Sequence, residues 1–377
     1  MHELTTLKSN ASAIILGAGV SGLSVALMLL QRGAPVTLLE RGDVGAESSW
    51  AGGGILSPLL PWDYAEPLSR LALRSMAAYA DWIASIEAQS ATSAEYRRCG
   101  MQVLGVSDPD VALAWCQTHG LAAQSEPAHT HDSLWLPDIA QVRNPRLVAA
   151  LREAVVRLGG VIHTHCAAES VTAPAGRMLA VHTKQGTFTA DQFVLATGAW
   201  AGLALLGTGD QADRLSGMQA APHIRPIRGQ MLLFKLEPGV LDTILYRNGL
   251  YLIPRRDGHV LAGSTLEDVG FDKSTDDATR LRLHAQATEL LPALADVQPV
   301  QHWAGLRPGS PDNIPIIGRH PDFENVFINA GHYRYGVTLA PASAELLVDL
   351  MQGKKPALDP APYSWQAALE RRWTPSL

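Results

Sequence analysis

The feature that most constrains this chain is a glycine-rich turn near its start. Ala13-Ile14-Ile15-Leu16 is a short apolar run, Gly17-Ala18-Gly19-Val20-Ser21-Gly22 follows as G-x-G-x-x-G, and Leu23-Ser24-Val25-Ala26-Leu27-Met28-Leu29-Leu30 reads as a buried helix. Gly33 closes that helix, and Pro35-Val36-Thr37-Leu38-Leu39-Glu40 reads as a second strand. Strand, turn, helix and strand in this register predict a dinucleotide site. Gly17 makes the tight bend, Gly19 lets the backbone approach a pyrophosphate, and Gly22 lets helix and strand pack closely. The phosphates then rest on the N-terminus of the helix, with Val20 and Ser21 in its first turn, where free N–H groups and the dipole favour negative charge. Glu40, about twenty residues past the glycines, is placed to accept from a ribose 2′-OH.

Residues 13–30 also have the length and apolarity of a membrane span or signal-peptide core, but neither reading suits their context. The preceding segment carries one Lys against one Glu, and no charge cluster or A-x-A site follows. Gly207-Thr208-Gly209-Asp210-Gln211-Ala212 matches the loose fingerprint as well; lacking a strand before it and a helix after it, it reads as a loop.

With 377 residues the chain is long enough for about two domains. A formal charge of −6, with 18% charged residues and no basic run, argues against nucleic acid and against an anionic membrane surface, which leaves a small-molecule partner. Cys99, Cys116 and Cys166 are odd in number and far apart, so they predict free thiols, no metal site and a reducing, cytoplasmic setting.

NAD and FAD share the fingerprint, and the residues after Glu40 bear on the choice. Glu40-Arg41 leads into a loop of small residues in which Ser48 and Ser49 are placed to bond the pyrophosphate and Gly52-Gly53-Gly54-Ile55 lets backbone lie against a flat ring. That loop, together with Leu195-Ala196-Thr197-Gly198-Ala199-Trp200 and Ala330-Gly331-His332-Tyr333-Arg334-Tyr335-Gly336-Val337-Thr338-Leu339-Ala340-Pro341, resembles the D-amino-acid oxidase family of flavoproteins, and specifically its branch acting on glycine and other small amines. The likeness runs over about residues 12–350.

The resemblance implies an α/β fold. A Rossmann-like, doubly wound FAD-binding domain (12–85, 142–222 and 305–365) would interleave with an α+β substrate domain on a mainly antiparallel sheet (86–141 and 223–304). Residues 145–159 have helical periodicity and Gly160-Val161-Ile162-His163 begins another strand; Met231-Leu232-Leu233-Phe234 and Tyr251-Leu252-Ile253-Pro254 fit the second sheet. By resemblance, the cofactor is FAD. Gly17, Gly19, Val20, Ser21, Gly22, Glu40, Arg41, Ser48, Ser49, Gly53, Gly54 and Ile55 are expected to hold it, with Val171 by the adenine and Gly198 returning the chain to the nucleotide. His332, Tyr333, Arg334, Tyr335, Gly336, Val337 and Thr338 would form the last contact, where a helix N-terminus faces the flavin.

Arg307, within Leu306-Arg307-Pro308-Gly309, matches the arginine that clamps a substrate carboxylate, for which a planar bidentate donor is suited. Tyr251 matches a tyrosine that shares that carboxylate, although a tyrosine in an alternating strand also reads as core. Arg334 matches a position near the substrate amine, and His332 reads equally as a backbone-bonding histidine. The implied reaction is oxidative deamination with O2 as acceptor, giving an imino acid, then glyoxylate and ammonia, and H2O2. The rate would rise with pH until the amine is neutral. A dehydrogenase with another acceptor, or a flavin-binding module without catalysis, are the alternatives.

Sarcosine oxidases attach flavin through a cysteine in the segment matching 305–312; this chain has Gly305 and no cysteine there, so FAD should be non-covalent. Ile55 and Leu266 replace residues of relatives and are expected to keep the pocket wall apolar. A homo-oligomer and a functional link to thiazole synthase, within thiamine biosynthesis, are further implied.

Overall fold

A computed structural model describes residues 10–125, 132–201 and 222–373 of the chain. The apolar runs Ala13–Leu16, Val36–Leu39, Val161–His163, Gln192–Leu195, Ile316–Arg319 and Val326–Ala330 form a six-stranded sheet. Its spatial order runs Ile316–Arg319, Val326–Ala330, Gln192–Leu195, Ala13–Leu16, Val36–Leu39, Val161–His163. Every neighbouring pair is parallel except the edge pair Ile316–Arg319 with Val326–Ala330.

Continuous apolar composition follows from burial on both faces. Ile15, Leu38, Val194 and Phe327 face helices Val20–Gln31, Asn144–Arg157 and Gly336–Met351. Ile14, Leu16, Phe193 and Leu195 face the other way, onto Val181 and Phe188 of a three-stranded antiparallel sheet (Ala168–Thr172, Ala180–Thr183, Gly186–Thr189), onto Met178 just before its middle strand, and onto helix Trp365–Glu370. The winding is therefore mainly helical on one face, while the second face is covered chiefly by a β-meander.

Residues 13–30 divide as their glycines require, into strand Ala13–Leu16, a turn, and the 12-residue helix Val20–Gln31. Among the described residues no helix is long and apolar enough to cross a membrane. The periodicity over 145–159 is helix Asn144–Arg157, closed by Gly159 at φ +92°. The second fingerprint-like run, 207–212, lies outside the described residues.

The second layer is an eight-stranded sheet in the order Gln301–Gly309, Arg225–Lys235, His259–Gly263, Leu250–Pro254, Ile244–Arg247, Met101–Leu104, Leu134–Leu136, Gln124–Ser125. Only Ile244–Arg247 with Met101–Leu104 pairs parallel. Alternation sorts its faces. Leu232, Phe234, Leu250 and Leu252 pack under Leu283, Ala287 and Leu290 of helix Asp277–Leu290. Met231, Tyr251 and Ile253 face the opposite side. Strand Gln301–Gly309 pairs with Arg225–Lys235 over its whole length, from Gln301 opposite Leu233 to Gly309 opposite Arg225.

Candidate active site

In the six-stranded sheet the chain turns one way from Ala13–Leu16 to Val36–Leu39 and later returns to lay Gln192–Leu195 on the other side. Ligands of open α/β sheets sit at such a switch point, beyond the carboxyl ends of the strands. A cleft of about 1030 Å³ opens there, lined by both sheets. It is at the upper end of the ~300–1,000 Å³ of small-molecule sites.

Two glycines shape the floor of the turn. Gly17 has φ +103°, and a Cβ on it would lie 2.5 Å from the Ala196 carbonyl oxygen. Gly22 does not line the cleft; a Cβ there would lie 2.0 Å from the Gly17 oxygen, so its part is to let helix and turn touch. The helix has no acidic residue in its first turn and no cap from Gly19. Ser49 Oγ accepts instead from the Val20 N–H at 2.9 Å, so the loop reaches the helix N-terminus through a hydroxyl. Glu40 accepts from the Ala18 N–H at 2.8 Å and the Gly42 N–H at 3.0 Å, which fixes its carboxylate at the edge of the cleft. Arg41 lies 3.5 Å over the Trp200 ring and pairs with Glu47 at 2.8 Å. Val171, Gly198 and Cys166 line the same end.

The middle of the cleft is made by the loop that begins in the one-turn helix Ser48–Ala51. Gly54 has φ +80°, and a Cβ on it would lie 2.2 Å from the Val142 oxygen. The loop is tied from three sides: Asn144 Nδ2 donates to the Ser49 oxygen at 3.1 Å, the Val142 N–H to the Gly54 oxygen at 2.9 Å, and Thr338 Oγ1 to the Ile55 oxygen at 2.9 Å. Opposite stands helix Gly336–Met351, whose N-terminus has no side-chain cap and no acidic residue in its first turn. His332 lies 3.4 Å from Ser21 Oγ and 3.2 Å from Ser343 Oγ, and burial pulls its pKa down to about 4, so the ring is neutral at neutral pH. His332 thus joins the fingerprint helix to the helix Gly336–Met351 across the cleft wall.

The far end gathers Tyr251, Ser264, Arg307, Tyr333, Arg334 and Tyr335. Arg307 Nη2 donates to Ser264 Oγ at 2.6 Å and Nη1 to the Thr265 oxygen at 3.1 Å, while the Tyr251 hydroxyl donates to the same Ser264 Oγ at 3.0 Å. The guanidinium lies over Gly229, where a Cβ would stand 2.2 Å from both terminal nitrogens. Burial lowers the pKa of Arg307, and neighbouring Arg334 lowers it further. Arg334 lies among the hydroxyls of Tyr64, Tyr251, Tyr333 and Tyr335, and the Tyr64 and Tyr335 hydroxyls are hydrogen-bonded to each other. Among the described residues, no carboxylate pairs with Arg307 or Arg334. Two cations at one end of a cleft, without an acid between them, form a site for an anion.

Every residue expected to bind cofactor or substrate lines this one cleft, apart from Gly22 beneath it. One expected wall residue does not: Leu266 is 40% exposed and outside the cleft lining, because it leads into Glu267, whose backbone bonds Arg228 and turns the chain along the outside of the sheet. Ile55 does line it.

Sequence reading missed Ser264, Thr197, Asn144 and Asn329. Both amide atoms of Asn329 and the hydroxyl of Thr197 are buried at the cleft without a partner. An amide inside the apolar strand Val326–Ala330 was the available signal; Ser264 carried none. Unpartnered donors and acceptors beside a helix N-terminus and a glycine cradle fit a phosphate- and hydroxyl-bearing chain such as that of FAD, and the paired glycines fit its flat ring.

Comparison with known proteins agrees with this geometry. Residues 12–350 match the family described as FAD dependent oxidoreductase (DAO). The chain is 40% identical over 364 residues to glycine oxidase of Pseudomonas aeruginosa, covering 93% of this chain and 97% of that protein. It is 32% identical over 363 residues to the bifunctional protein ThiO/ThiG of Synechocystis, covering 93% of this chain and 53% of that longer one. The crystal structure of glycine oxidase from Geobacillus kaustophilus superposes with a TM-score of 0.84 at 25% identity, covering 94% of this chain and 98% of that one.

Proposed function

The chain belongs to the DAO family of FAD-dependent oxidoreductases, and from that premise we propose that it oxidises glycine and related small amines at Cα. The observation that carries the reading is the anion site at the far end of the cleft: Arg307 joined to Tyr251 through Ser264, with no acid among the described residues to pair with it. It suits the carboxylate of a small amino acid.

FAD, when bound, supplies a two-electron acceptor for the hydride on the substrate Cα. The residues do the rest. Arg307 takes the carboxylate in a bidentate pair, and the Tyr251 hydroxyl and Ser264 Oγ complete the clamp, so that Cα is held at one place along the cleft. Arg334, a second cation in the same chamber, disfavours an ammonium and so favours the neutral amine. The uncapped N-terminus of helix Gly336–Met351 would offer free N–H groups to negative charge on the reduced cofactor. Asn329, Thr197, Ser48 and Ser49 would hold the connecting chain, and Glu40 would hold the ribose.

The substrate leaves as an imino acid, which water hydrolyses to glyoxylate and ammonia, and O2 takes up the electrons as H2O2. A link to thiazole synthase is supported by the two-part name of the Synechocystis relative. We assign the two sheets to two interleaved domains with the cleft between them. Because strand Gln301–Gly309 pairs wholly within the second sheet, that domain takes 86–141 and 223–309.

The deciding experiment adds glycine, sarcosine or D-alanine to the yellow protein under nitrogen and follows flavin absorbance, then admits air and measures peroxide against dye reduction. Glycine should bleach the flavin and air should return peroxide. Bleaching by D-alanine alone would give the substrate to a D-amino-acid enzyme. Bleaching with dye reduction but no peroxide would give the electrons to another acceptor.

A further inference from the structure

Behind the Gly52-Gly53-Gly54-Ile55 loop, the ring loop, lies a buried cation with no part in the scheme above. Arg255 is 6% exposed and continues the face of strand Leu250–Pro254 that carries Tyr251 and Ile253. Its Nη1 donates to Gln141 Oε1 at 2.5 Å and to the Val142 oxygen at 2.8 Å, its Nη2 donates to the Gly53 oxygen at 2.7 Å, and its Nε has no partner. All three acceptors are neutral. The carboxylates around it, Glu95 and Asp257, are already bridged by Arg143, and Glu95 also by Arg146. Three guanidinium groups therefore face two carboxylates, and one positive charge is left inside. An uncompensated buried charge is costly and persists only where it is held in place by hydrogen bonds. Burial lowers the pKa of Arg255 to about 10, which still leaves it a cation at neutral pH.

Peptide geometry carries that charge to the cleft. Across a trans peptide the carbonyl and the next N–H point in opposite directions. With the Gly53 oxygen held by Arg255, the Gly54 N–H is turned away from the guanidinium. Gly54 lines the cleft, its own oxygen is taken by the Val142 N–H, and among the described residues no acceptor is recorded for its N–H. Gly54 tolerates no side chain either, because its φ is +80° and a Cβ on it would lie 2.2 Å from the Val142 oxygen.

We propose that Arg255 is a positioning residue for the flavin: it turns and polarises the Gly53–Gly54 peptide so that the Gly54 N–H donates into the cleft, toward negative charge on the reduced ring. The proposal rests on FAD occupying the cleft and not on which amine is oxidised. Its test therefore uses no amine.

Sulfite adds reversibly to flavins that tolerate negative charge, so its affinity for the FAD-loaded protein reads this stabilisation from absorbance alone. R255Q and R255M should bind sulfite at least tenfold more weakly than the parent. The two-electron potential should fall by about 30 mV for each tenfold. R255K, which keeps the charge, should stay within threefold even where its melting temperature drops. Unchanged sulfite affinity and potential in R255Q would overturn the proposal, and so would equal losses in R255K and R255Q, since packing alone would then explain both. Should neither neutral variant fold, R255K decides alone: a loss within threefold supports the role of charge, and a tenfold loss overturns it.

Discussion

Arg307 shows how much a single residue can announce. It stands in a glycine- and proline-rich segment where a guanidinium has no obvious surface role, and the structure places it in the cleft with Ser264 and Tyr251 as partners. Arg307→Ala should lower kcat/KM by the equivalent of about 2–5 kcal/mol, chiefly through KM, with the flavin spectrum unchanged; steady-state kinetics with glycine measures it. Ser264 could not be foreseen, because its hydroxyl matters only once two strands have brought Tyr251 and Arg307 to either side of it. Asn329 was half visible, as an amide in an apolar strand, but most of the cleft it faces is built by residues over a hundred positions away. Two buried histidines make a prediction about acid. His320 and His332 have pKa values lowered from about 6.5 to about 4 by burial, so below pH 6.5 the unfolded chain takes up protons that the folded one refuses. Stability should fall as the pH drops from 6.5 toward 4, by up to about 3 kcal/mol for each ring. His320→Phe, which keeps the contacts to Phe323 and Trp365, should flatten that dependence by one histidine's share in urea titrations at pH 4.5 and 7. An undiminished slope would show that the titration lies elsewhere.

At the scale of elements, the fingerprint unit was legible because everything that defines it is local: apolar run, glycine spacing and acid lie within 28 residues, from Ala13 to Glu40. The β-meander over the second face was less so. Ala168–Thr172 and Gly186–Thr189 are mostly exposed on one side, and short half-polar strands look like loop until a sheet is there to receive Val171 and Phe188. The long pair Arg225–Lys235 and Gln301–Gly309 carries a relation that no local pattern reveals: Gly229 on one strand clears the guanidinium from the other. Gly229→Ala should push the guanidinium aside, since its neighbour is the end of a flexible side chain, and not break the strand. The expected outcome is a KM for glycine raised about tenfold or more with the urea midpoint nearly unchanged, within the ~0.5 kcal/mol of an ordinary surface substitution. A large loss of stability with normal KM would mean that the backbone yields instead.

At the scale of the whole molecule, the six- and eight-stranded sheets share one cleft, and a cofactor seated there would touch both. FAD at a free concentration one hundred times its dissociation constant should stabilise the folded chain by about 2.7 kcal/mol, which melting curves with and without added FAD will show. Of the three cysteines only Cys166 lines the cleft, and its thiol donates to Thr183 Oγ1 at 3.4 Å, so acid precipitation should leave all the yellow colour in the supernatant. The interleaving of the two layers has a consequence for how such a chain is made. When a ribosome has produced the first 300 residues, the fingerprint, Glu40 and the ring loop have emerged, but Arg307, strand Val326–Ala330 and the N-terminus of helix Gly336–Met351 have not. At that length the nucleotide sheet is half built, and its apolar edge at Gln192–Leu195 awaits its last strands, a state prone to aggregation. The cleft that would take the cofactor is therefore complete only once helix Gly336–Met351 has been made, so flavin supply acts after that point and not on the shorter nascent chain.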